Sequence, residues 1–537
     1  MKKLIENGYG PLLFGVAIAI GVFLGGLLNF DPPTKSLFSV NFKNQKVQRL
    51  INFINNEYVD EVNTDSILDV TINSILENLD PHSTYIPADI HQQVIENMEG
   101  SFVGIGIEFR MYRDTVIVIN VLKGGPSEKV GLHNGDRILI ADSDTLFGRK
   151  IISDSVVTKL KGISDSEVDL TIYRPTSKEL LKKKIIRGKV PIKSVDVAYM
   201  INDSLGYIKI NRFAGSTYEE FSNALDKLQN EDVKSLVLDL RNNPGGFMHT
   251  AKKIADEFLP SDKLIVFTKN RKGAVDEEFS SGEGRFKKGN LYILINENSA
   301  SAAEVVAGAL QDNDRGTIIG RRSFGKGLVQ QELDLGDGSA VRLTTARYYT
   351  PTGRSIQKPY VNGDSSYEDD LTKRIHNGEL LDADSIKVNG DLKFITPKGK
   401  IVYGGGGIIP DVFVAVDTTQ YESWLYAAIR YSNLNDFFLN YVDANRSEFE
   451  KMGYSNFRKD FNSENKVYSD FVKYLDARGI KTTDDPISRS MLSIRIKAFV
   501  ARLVWGDEMM YPIWDTIDPM LTAVDSLEKD TTDSNKS

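Results

Sequence analysis

The spacing of hydrophobic residues divides the chain into segments of different predicted structure. Between residues 40 and 97, apolar side chains recur every three or four positions, as at Ile67, Val70 and Ile75. This spacing predicts amphipathic helices, so we expect a helical N-terminal segment over 40–97. Between residues 98 and 190, short β-branched runs such as 116–119 alternate with glycine-rich turns. That pattern predicts a small domain built mainly from β-strands.

The following 225 or so positions alternate between strand-like and helix-like patterns, which is typical of an α/β core over residues 191–415. The polar stretch 358–400 within this core is expected to be an insertion. Residues 416–528 have mainly helical spacing, and the polar residues 529–537 predict a disordered tail. Strands are expected at 205–210, 235–240, 263–267, 291–295, 317–319, 328–333 and 340–345, and helices at 218–228, 250–258 and 302–311.

The first residues predict a membrane segment. Lys2 and Lys3 precede an uncharged run of 18 residues at 11–28, and a helix needs about 17–20 apolar residues to cross a bilayer. We therefore expect residues 1–30 to form a cytoplasmic start and a transmembrane signal anchor, with the rest of the chain exported. A cleaved signal peptide is the alternative, but the residues that follow the run show no small-x-small cleavage pattern.

Composition narrows the classes of protein that the chain can belong to. With 41% hydrophobic and 26% charged residues over 537 positions, the chain is expected to form several packed domains. The net charge of -8 argues against a general nucleic-acid binder. The absence of cysteine excludes disulfides, thiol catalysis and Cys-ligated zinc, and the five histidines form no HExxH motif. We therefore expect no metal, no cofactor and no nucleic-acid partner.

Two segments place small residues directly after a predicted strand. In LDLRNNPGG, residues 238–246, Gly245 and Gly246 free backbone N–H groups and let a ligand approach the main chain. An ordinary strand-to-helix turn is an equally good interpretation. In NENSASAAE, residues 296–304, Ser301 with Glu304 fits a capping box, which is a complete structural explanation. A serine at a helix start, however, also lies beside free N–H groups that can stabilise an oxyanion.

The segment GRRSFGKGLVQ, residues 320–330, nearly matches a phosphate-binding loop. Gly327 stands where that motif needs Ser or Thr, and the residues that follow predict a strand rather than a helix, so we do not favour a nucleotide site. If a strand begins near Lys326, the lysine shares a face with Gln330. Burial lowers the pKa of a lysine, and a neutral lysine can deprotonate a serine while a glutamine orients it.

Taken together, these motifs resemble the carboxy-terminal processing proteases, also called tail-specific proteases. The resemblance implies a nucleophile at Ser301, a base at Lys326 and a supporting Gln330. It also implies oxyanion donors in the backbone of Ala302 and of the Gly245–Gly246 turn. It rests on LDPHSTY at 79–85, FVGIGIEF at 102–109, GGPSEKVGLHNGDRI at 124–138, LDLRNNPGG, NENSASAAE, GRRSFGKGLVQ, LTTARYYTPTGRSIQ at 343–357 and GGGGIIPD at 404–411, in that order.

The resemblance also implies a fold class and a receptor for protein tails. We expect a multidomain α+β protein with a PDZ domain at 98–190, an α/β peptidase core with a curved sheet, and a helical C-terminal region. The carboxylate of a substrate tail would bind the backbone of a short loop and the next strand would accept the peptide by β-augmentation. The loop consists of Gly104, Ile105, Gly106 and Ile107.

The resulting functional hypothesis is a membrane-anchored serine endopeptidase of the bacterial cell envelope, with its catalytic part on the periplasmic side of the inner membrane. Its partners would be proteins or peptides with free C-termini, with a second copy of the chain or an activating adaptor protein as further candidates. The alternative is a non-catalytic PDZ adaptor for protein C-termini. The C-terminal helical region could serve dimerisation, partner docking or shielding of the site.

Overall fold

The computed structural model describes residues 46–534, apart from 113, 149–150, 361–366, 368, 419–423, 425–426, 429–432, 465 and 484, together with Gly15. The expected membrane anchor at 11–28 therefore lies outside the described residues, Gly15 excepted. Within the part of the chain that is described, no helix combines the length and the apolar character that a membrane crossing requires.

The chain divides into two compact units, residues 1–74 and 75–537. The first unit contains the helix Lys46–Glu57 and most of the helix Thr64–Glu77. Asn63 caps the second helix, because its side-chain oxygen accepts a hydrogen bond from the Ser66 N–H at 3.1 Å. Both helices lie where the three-and-four spacing of apolar residues predicted them.

The second unit begins with a loop at residues 79–83, the short strand Thr84–Ile86 and the helix Ala88–Glu99. The strand pairs antiparallel with Ala340–Tyr349, so this segment belongs to the sheet structure of the core. The sequence pattern indicated only an interruption of helices here, because a three-residue strand is too short to show alternation. The helix ends at Gly100, whose φ of +79° is left-handed.

A β-rich domain follows, as the alternating pattern predicted. Five of its strands form a sheet in the order 107–112, 115–121, 137–141, 167–174 and 179–186, with 144–145 paired at the side. The strands are Ser101–Gly104, Ile107–Tyr112, Thr115–Val121, Arg137–Ala141, Asp144–Thr145, Glu167–Arg174, Glu179–Ile186 and Gly188–Pro191, and the helices are Pro126–Lys129 and Ser153–Leu160.

The strand Thr115–Val121 contributes to two hydrophobic cores, because successive side chains of a strand point to opposite faces. Val116 and Val118 are buried in the core of the β-rich domain. Ile117 is fully buried among the C-terminal helices, and Ile119 packs against the same cluster. The C-terminal helices therefore cover a face of this domain that would otherwise expose apolar side chains.

The α/β core contains a six-stranded sheet in the order 195–200, 205–210, 235–239, 291–295, 317–320 and 412–413. The first pair is antiparallel and every later pair is parallel. All three predicted helices of the core are present, shifted by no more than two residues at each end. The strands are Val195–Met200, Leu205–Ile210, Ser235–Asp239, Leu291–Ile295, Thr317–Gly320 and Val412–Phe413, and the helices are Thr217–Asn230, Met248–Asp256 and Ala302–Asp312.

A second, antiparallel sheet lies beside this one and is centred on the long strand Ala340–Tyr349. That strand pairs with three others, namely Thr84–Ile86, Leu264–Asn270 and Leu328–Asp334. Further elements of the core are the edge strand Val275–Phe279, the helix Asp370–His376, the 3-10 turns Ala383–Ser385 and Gly390–Leu392, and the hairpin Lys393–Ile395 with Ile401–Tyr403.

The C-terminal region is helical, as its spacing predicted. Its last helix carries Met520, Leu521 and Val524 against the face of the central sheet. This helix continues through residues 529–534, where the sequence predicted a disordered tail. The apolar residues that pack on the sheet fix the first turns of the helix, and the polar residues extend it. The helices are Asn433–Met452, Tyr454–Asp460, Lys466–Asp476, Pro486–Trp505, Tyr511–Trp514 and Pro519–Ser534, with 3-10 turns at Asp507–Met509 and Asp515–Ile517.

Candidate active site

Ser301 lies at the junction between a buried strand and a helix. The strand Leu291–Ile295 ends at the sheet edge, and the helix Ala302–Asp312 begins directly after the serine. Ser301 has φ +55° and ψ -116°, a conformation that residues with a Cβ rarely adopt. Such strain persists only where surrounding contacts impose it, and it clusters at functional sites. The strain is an observation independent of the sequence motif.

The buried carboxylate of Glu304 imposes much of this geometry. One of its oxygens accepts hydrogen bonds from the N–H groups of Ser301 and Lys326, both at 2.9 Å. The other accepts from Ser323 Oγ at 2.5 Å and from the Gly325 N–H at 2.7 Å. Burial raises the pKa of Glu304, and these four donors act in the opposite direction. Glu304 therefore joins the serine turn to the lysine loop, besides capping the helix.

Lys326 lies at the end of that loop with its side chain half-buried. Its ammonium group donates a hydrogen bond to Gln330 Oε1 at 3.0 Å, which confirms the predicted contact. The strand begins at Leu328 and carries a bulge between Val329 and Gln330, so the contact does not arise from simple alternation. Burial lowers the pKa of Lys326, with a further contribution from the nearby Arg342 guanidinium.

Ser301 and Lys326 are held close to each other by shared partners. Both backbone N–H groups donate to the same oxygen of Glu304. The Tyr348 hydroxyl lies 3.2 Å from the Ser301 carbonyl oxygen and 2.8 Å from that of Lys326. Among the hydrogen bonds of the described residues, none joins Ser301 Oγ to Lys326 Nζ. The main chains of the two residues are therefore held together by Glu304 and Tyr348.

The Gly245–Gly246 turn packs against the serine, as expected. A Cβ on Gly245 would lie 2.8 Å from Ser301 Cβ and 2.9 Å from the Ala302 nitrogen. Only glycine permits this approach, and its φ of +101° is left-handed. The Gly245 N–H donates to Asn243 Oδ1 at 2.8 Å. Of the hydrogen bonds formed by described residues, none uses the N–H of Gly246 or of Ala302.

These contacts also bear on the phosphate-loop interpretation and on the neighbouring Ser299. The N–H groups of Gly325 and Lys326, which would cradle a phosphate, donate to Glu304 instead. The phosphate-loop interpretation is thus disfavoured by geometry as well as by sequence. Ser299, the second serine nearby, is fully buried and donates its hydroxyl to the Leu240 carbonyl at 2.8 Å, so it is a structural residue.

The loop that the resemblance assigns to tail binding, residues 104–107, lies at the edge of the β-rich domain. Gly106 is left-handed at φ +79°, and its carbonyl accepts the Leu122 N–H at 3.1 Å. The Ile105 carbonyl accepts the Ser127 N–H at 2.9 Å, so the loop is fixed from inside the domain. Ile107 begins the edge strand Ile107–Tyr112, and no other strand of the described residues pairs with its outer edge. Gly104 ends the preceding strand Ser101–Gly104.

Sequence reasoning missed the residues 80–83 as part of this site. The His82 carbonyl accepts a hydrogen bond from Gln330 Nε2. Burial, followed by the charge of Lys326, lowers the pKa of His82 to about 4, so its ring is neutral at pH 7. The LDPHSTY motif carried the signal, but a motif alone does not say that it contacts a glutamine 248 positions later.

The fold and these contacts define a class of protein: a serine-type peptidase with an attached PDZ domain. Family models match the chain as Peptidase family S41 at residues 204–367 and as a PDZ domain at 103–185. A third match, at residues 424–506, is to a family of unknown function.

Comparison with known proteins gives the family. The carboxy-terminal processing protease CtpB of Bacillus subtilis is 32% identical over 361 residues, covering 65% of this chain and 74% of that protein. The carboxy-terminal-processing protease of Bartonella bacilliformis is 34% identical over 345 residues, covering 63% and 78%. A solved photosystem II D1 C-terminal processing protease is 27% identical, covers 70% of this chain and 88% of its own, and has a TM-score of 0.35. The chain belongs to the carboxy-terminal processing proteases of family S41.

Proposed function

We propose that this protease cuts peptide bonds with Ser301 as nucleophile and Lys326 as general base, oriented by Gln330. The observation that carries the proposal is the half-buried Lys326 ammonium, bonded to Gln330 and tied through Glu304 to the strained Ser301. A serine hydroxyl needs a neutral amine to take its proton, and an ordinary lysine has a pKa of about 10.4. Burial lowers the pKa of Lys326 towards the range in which it can act.

The reaction follows from these positions. Ser301 Oγ attacks the substrate carbonyl carbon while its proton passes to neutral Lys326 Nζ. The carbonyl oxygen gains the negative charge and accepts hydrogen bonds from backbone N–H groups. Lys326 then gives the proton to the leaving amine as the C–N bond breaks, which leaves an acyl-enzyme. Water, deprotonated by the same lysine, releases the acyl group and restores Ser301.

Ala302 and Gly246 are the proposed oxyanion donors. Both N–H groups lie in the turns that meet at Ser301, and neither is used in a hydrogen bond among the residues described. The Gly245 N–H is already bonded to Asn243 Oδ1. Gly245 therefore acts by allowing the close approach of the turn, and Gly246 by donating to the oxyanion.

Paired substitutions test this assignment. Ser301→Ala and Lys326→Arg should each abolish cleavage of an unstructured protein without loss of folding, because an arginine cannot act as a base at neutral pH. Lys358→Arg is the matched control, since Lys358 also has a pKa lowered by burial and lies over the rings of Phe324 and Tyr367. Arginine stacks equally well there. The assignment fails if folded Lys326→Arg cleaves at a substantial rate, and a non-catalytic adaptor requires that wild type does not cleave.

The proposed role of the PDZ loop is capture of a free C-terminus. The backbone of Gly104, Ile105, Gly106 and Ile107 would bind the carboxylate, and the open edge of Ile107–Tyr112 would accept the tail as an added strand. A full-length Ser301→Ala protein should bind an amidated peptide about tenfold or more weakly than the free acid, because charge-assisted hydrogen bonds contribute about 1.5–3 kcal/mol. Fluorescence anisotropy measures both affinities. Equal affinities would refute this role and leave the catalytic assignment in place.

We further propose that residues 1–30 anchor the enzyme in the bacterial inner membrane with its site on the periplasmic side. The support is the sequence itself: an uncharged apolar run behind Lys2 and Lys3. Assembly with a second copy or with an activating adaptor is a separate hypothesis. Analytical ultracentrifugation of the protein without residues 1–30 tests self-association by the mass it reports.

A further inference from the structure

The loop at residues 80–83 is built around one buried carboxylate. Asp80 is only 5% exposed. Its Oδ1 accepts hydrogen bonds from the N–H groups of His82 and Ser83, both at 2.9 Å, and from Thr344 Oγ1 at 3.1 Å. Its Oδ2 accepts the Ser83 hydroxyl at 2.6 Å. The Ser83 oxygen in turn accepts the Thr344 N–H at 3.1 Å, so the loop is fixed to the strand Ala340–Tyr349.

The strand Ala340–Tyr349 also pairs with the strand Leu328–Asp334, which contains Gln330. Thr344 is the register partner of Gln330 in the pairing of Leu328–Asp334 with Ala340–Tyr349. Asp80 thus anchors the loop at the point of the sheet from which the Gln330 side chain extends. The contact between them is made by the main chain, because Gln330 Nε2 donates to the His82 carbonyl.

This contact decides which end of the Gln330 amide faces the lysine. A carbonyl oxygen can only accept, so the amide must turn its NH₂ group to His82 and its Oε1 to Lys326. A neutral lysine then donates one N–H to Oε1 and keeps its lone pair for the serine proton. With the amide reversed, the NH₂ group would donate a hydrogen bond to the lysine lone pair, and Lys326 could not act as a base.

We propose that Asp80 is a positioning residue for catalysis, acting through the His82 carbonyl on Gln330 and thereby on Lys326. The inference rests on the proposed function of Lys326 as the base. Asp80 itself touches neither substrate nor the reacting atoms. Its effect should therefore appear in kcat and leave KM unchanged.

Asp80 also acts on Lys326 through its charge. The charged groups that face Lys326 are Arg342, which lowers its pKa, and the carboxylates of Asp80 and Glu304, which raise it. His82 lies beside them as a neutral ring. Removing the Asp80 charge takes away a stabiliser of the ammonium form, so the pKa of Lys326 falls further and the lysine becomes neutral at a lower pH.

Two variants separate geometry from charge. Asp80→Asn keeps one acceptor oxygen but loses the charge, and its NH₂ group cannot accept the Ser83 hydroxyl. Ser83→Ala loosens the loop with no change of charge. We expect kcat to fall at least about tenfold in both, since a misplacement of about 1 Å can cost about a hundredfold. The midpoint of the pH–kcat profile should move to lower pH in Asp80→Asn alone. Asp89→Asn, at an exposed site in the next helix, is the control and should match wild type.

A double variant tests whether Asp80 acts on Lys326 through Gln330. If Asp80 acts through Gln330, adding Asp80→Asn to Gln330→Ala should lower the plateau kcat no further than Gln330→Ala alone. If the fold-loss of kcat in the double variant equals the product of the two single losses, the inference is overturned. A folded Asp80→Asn protein with the kcat of wild type and the same midpoint of the pH–kcat profile would overturn it too. The second result, with Lys326→Arg inactive, leaves the proposed function standing. Activity in Lys326→Arg would overturn the proposed function and this inference together.

Discussion

At the scale of single residues, the site depends on groups whose ordinary protonation is disturbed by burial. Lys326 and His82 have lowered pKa values, and Glu304 has a raised one. In the 3-10 turn Asp515–Ile517, burial raises the pKa of Asp515 to about 7, and the carboxylates of Asp518 and Asp239 raise it further. The Tyr199 hydroxyl donates to Asp515 at 2.7 Å and acts in the opposite direction.

The raised pKa of Asp515 predicts a specific dependence of stability on pH. The folded protein keeps a proton that the unfolded chain releases above its ordinary pKa of 3.8. The free energy of unfolding therefore loses a contribution as pH rises from about 4 to about 7. Asp515→Asn, which stays neutral and can still accept from Tyr199, should unfold at higher urea than wild type at pH 8, and the difference should be much smaller at pH 4.5. Asp276→Asn, at an exposed edge, is the control.

Urea titrations at the two pH values decide the matter. If the variant is less stable than wild type at pH 8, or differs from wild type by the same amount at both pH values, the pKa of Asp515 is not raised in the folded protein.

The residue scale also shows what the sequence could predict about the site. Ser301, Lys326 and Gln330 come together as expected, because each lies in a motif at the end of a strand. The role of Glu304 was only half predicted. Its bond to Ser301 is local and visible in the spacing, whereas its bonds to Ser323, Gly325 and Lys326 depend on how two loops meet in space.

At the scale of elements, the strands with buried β-branched runs were predicted well and the edge strands were not. Val275–Phe279 reads VDEEF and shows no alternation, because its central residues face solvent. Val412–Phe413 has two residues and no periodicity at all. Both form because neighbouring strands offer unpaired backbone groups, which is information that no local pattern contains.

The most consequential element is the strand Thr115–Val121, whose outer face is buried under the C-terminal helices. Arg137 in the neighbouring strand adds an ion pair with Asp443 of the helix Asn433–Met452. The Tyr112 hydroxyl accepts a hydrogen bond from Asn440 Nδ2 of the same helix at 2.7 Å. These contacts attach the PDZ domain to the helix Asn433–Met452 of the C-terminal region.

This docking predicts that the PDZ domain and the helical region unfold together. Ile117→Ala should lower the free energy of unfolding by about 2–5 kcal/mol, the usual cost of emptying a buried site. All three tryptophans, Trp424, Trp505 and Trp514, lie in the C-terminal region, so tryptophan fluorescence reports on that region alone. We expect the fluorescence transition to shift although the change lies in the PDZ domain.

Leu180→Ala, at a site 68% exposed on the PDZ domain, is the matched control and should leave the transition in place. An unchanged fluorescence transition in Ile117→Ala would mean that the two regions are independent.

At the scale of the whole molecule, the proposed anchor predicts where the protein is found. Full-length protein should sediment with membranes, and protein without residues 1–30 should be soluble and cleave at the wild-type rate, because the proposed catalytic residues Ser301, Lys326 and Gln330 are all retained. Ultracentrifugation of cell fractions measures the first property and a peptidase assay the second. A mature N-terminus near residue 30 by mass spectrometry would show cleavage and refute the anchor.

The last helix, Pro519–Ser534, has a consequence for the order in which the protein is made. It covers one face of the central sheet, and just before it Asp518 pairs with Arg241 at 2.6 Å, three residues from the Pro244 that starts the glycine turn. The ribosome makes residues 414–518 between the last strand of that sheet and this helix, which takes about 5–20 s at about 5–20 residues per second. Throughout that interval this face of the central sheet lacks the last helix, and Arg241 pairs with Asp239 but not yet with Asp518. The last contacts on this face therefore form only after the helix Pro519–Ser534 has left the ribosome.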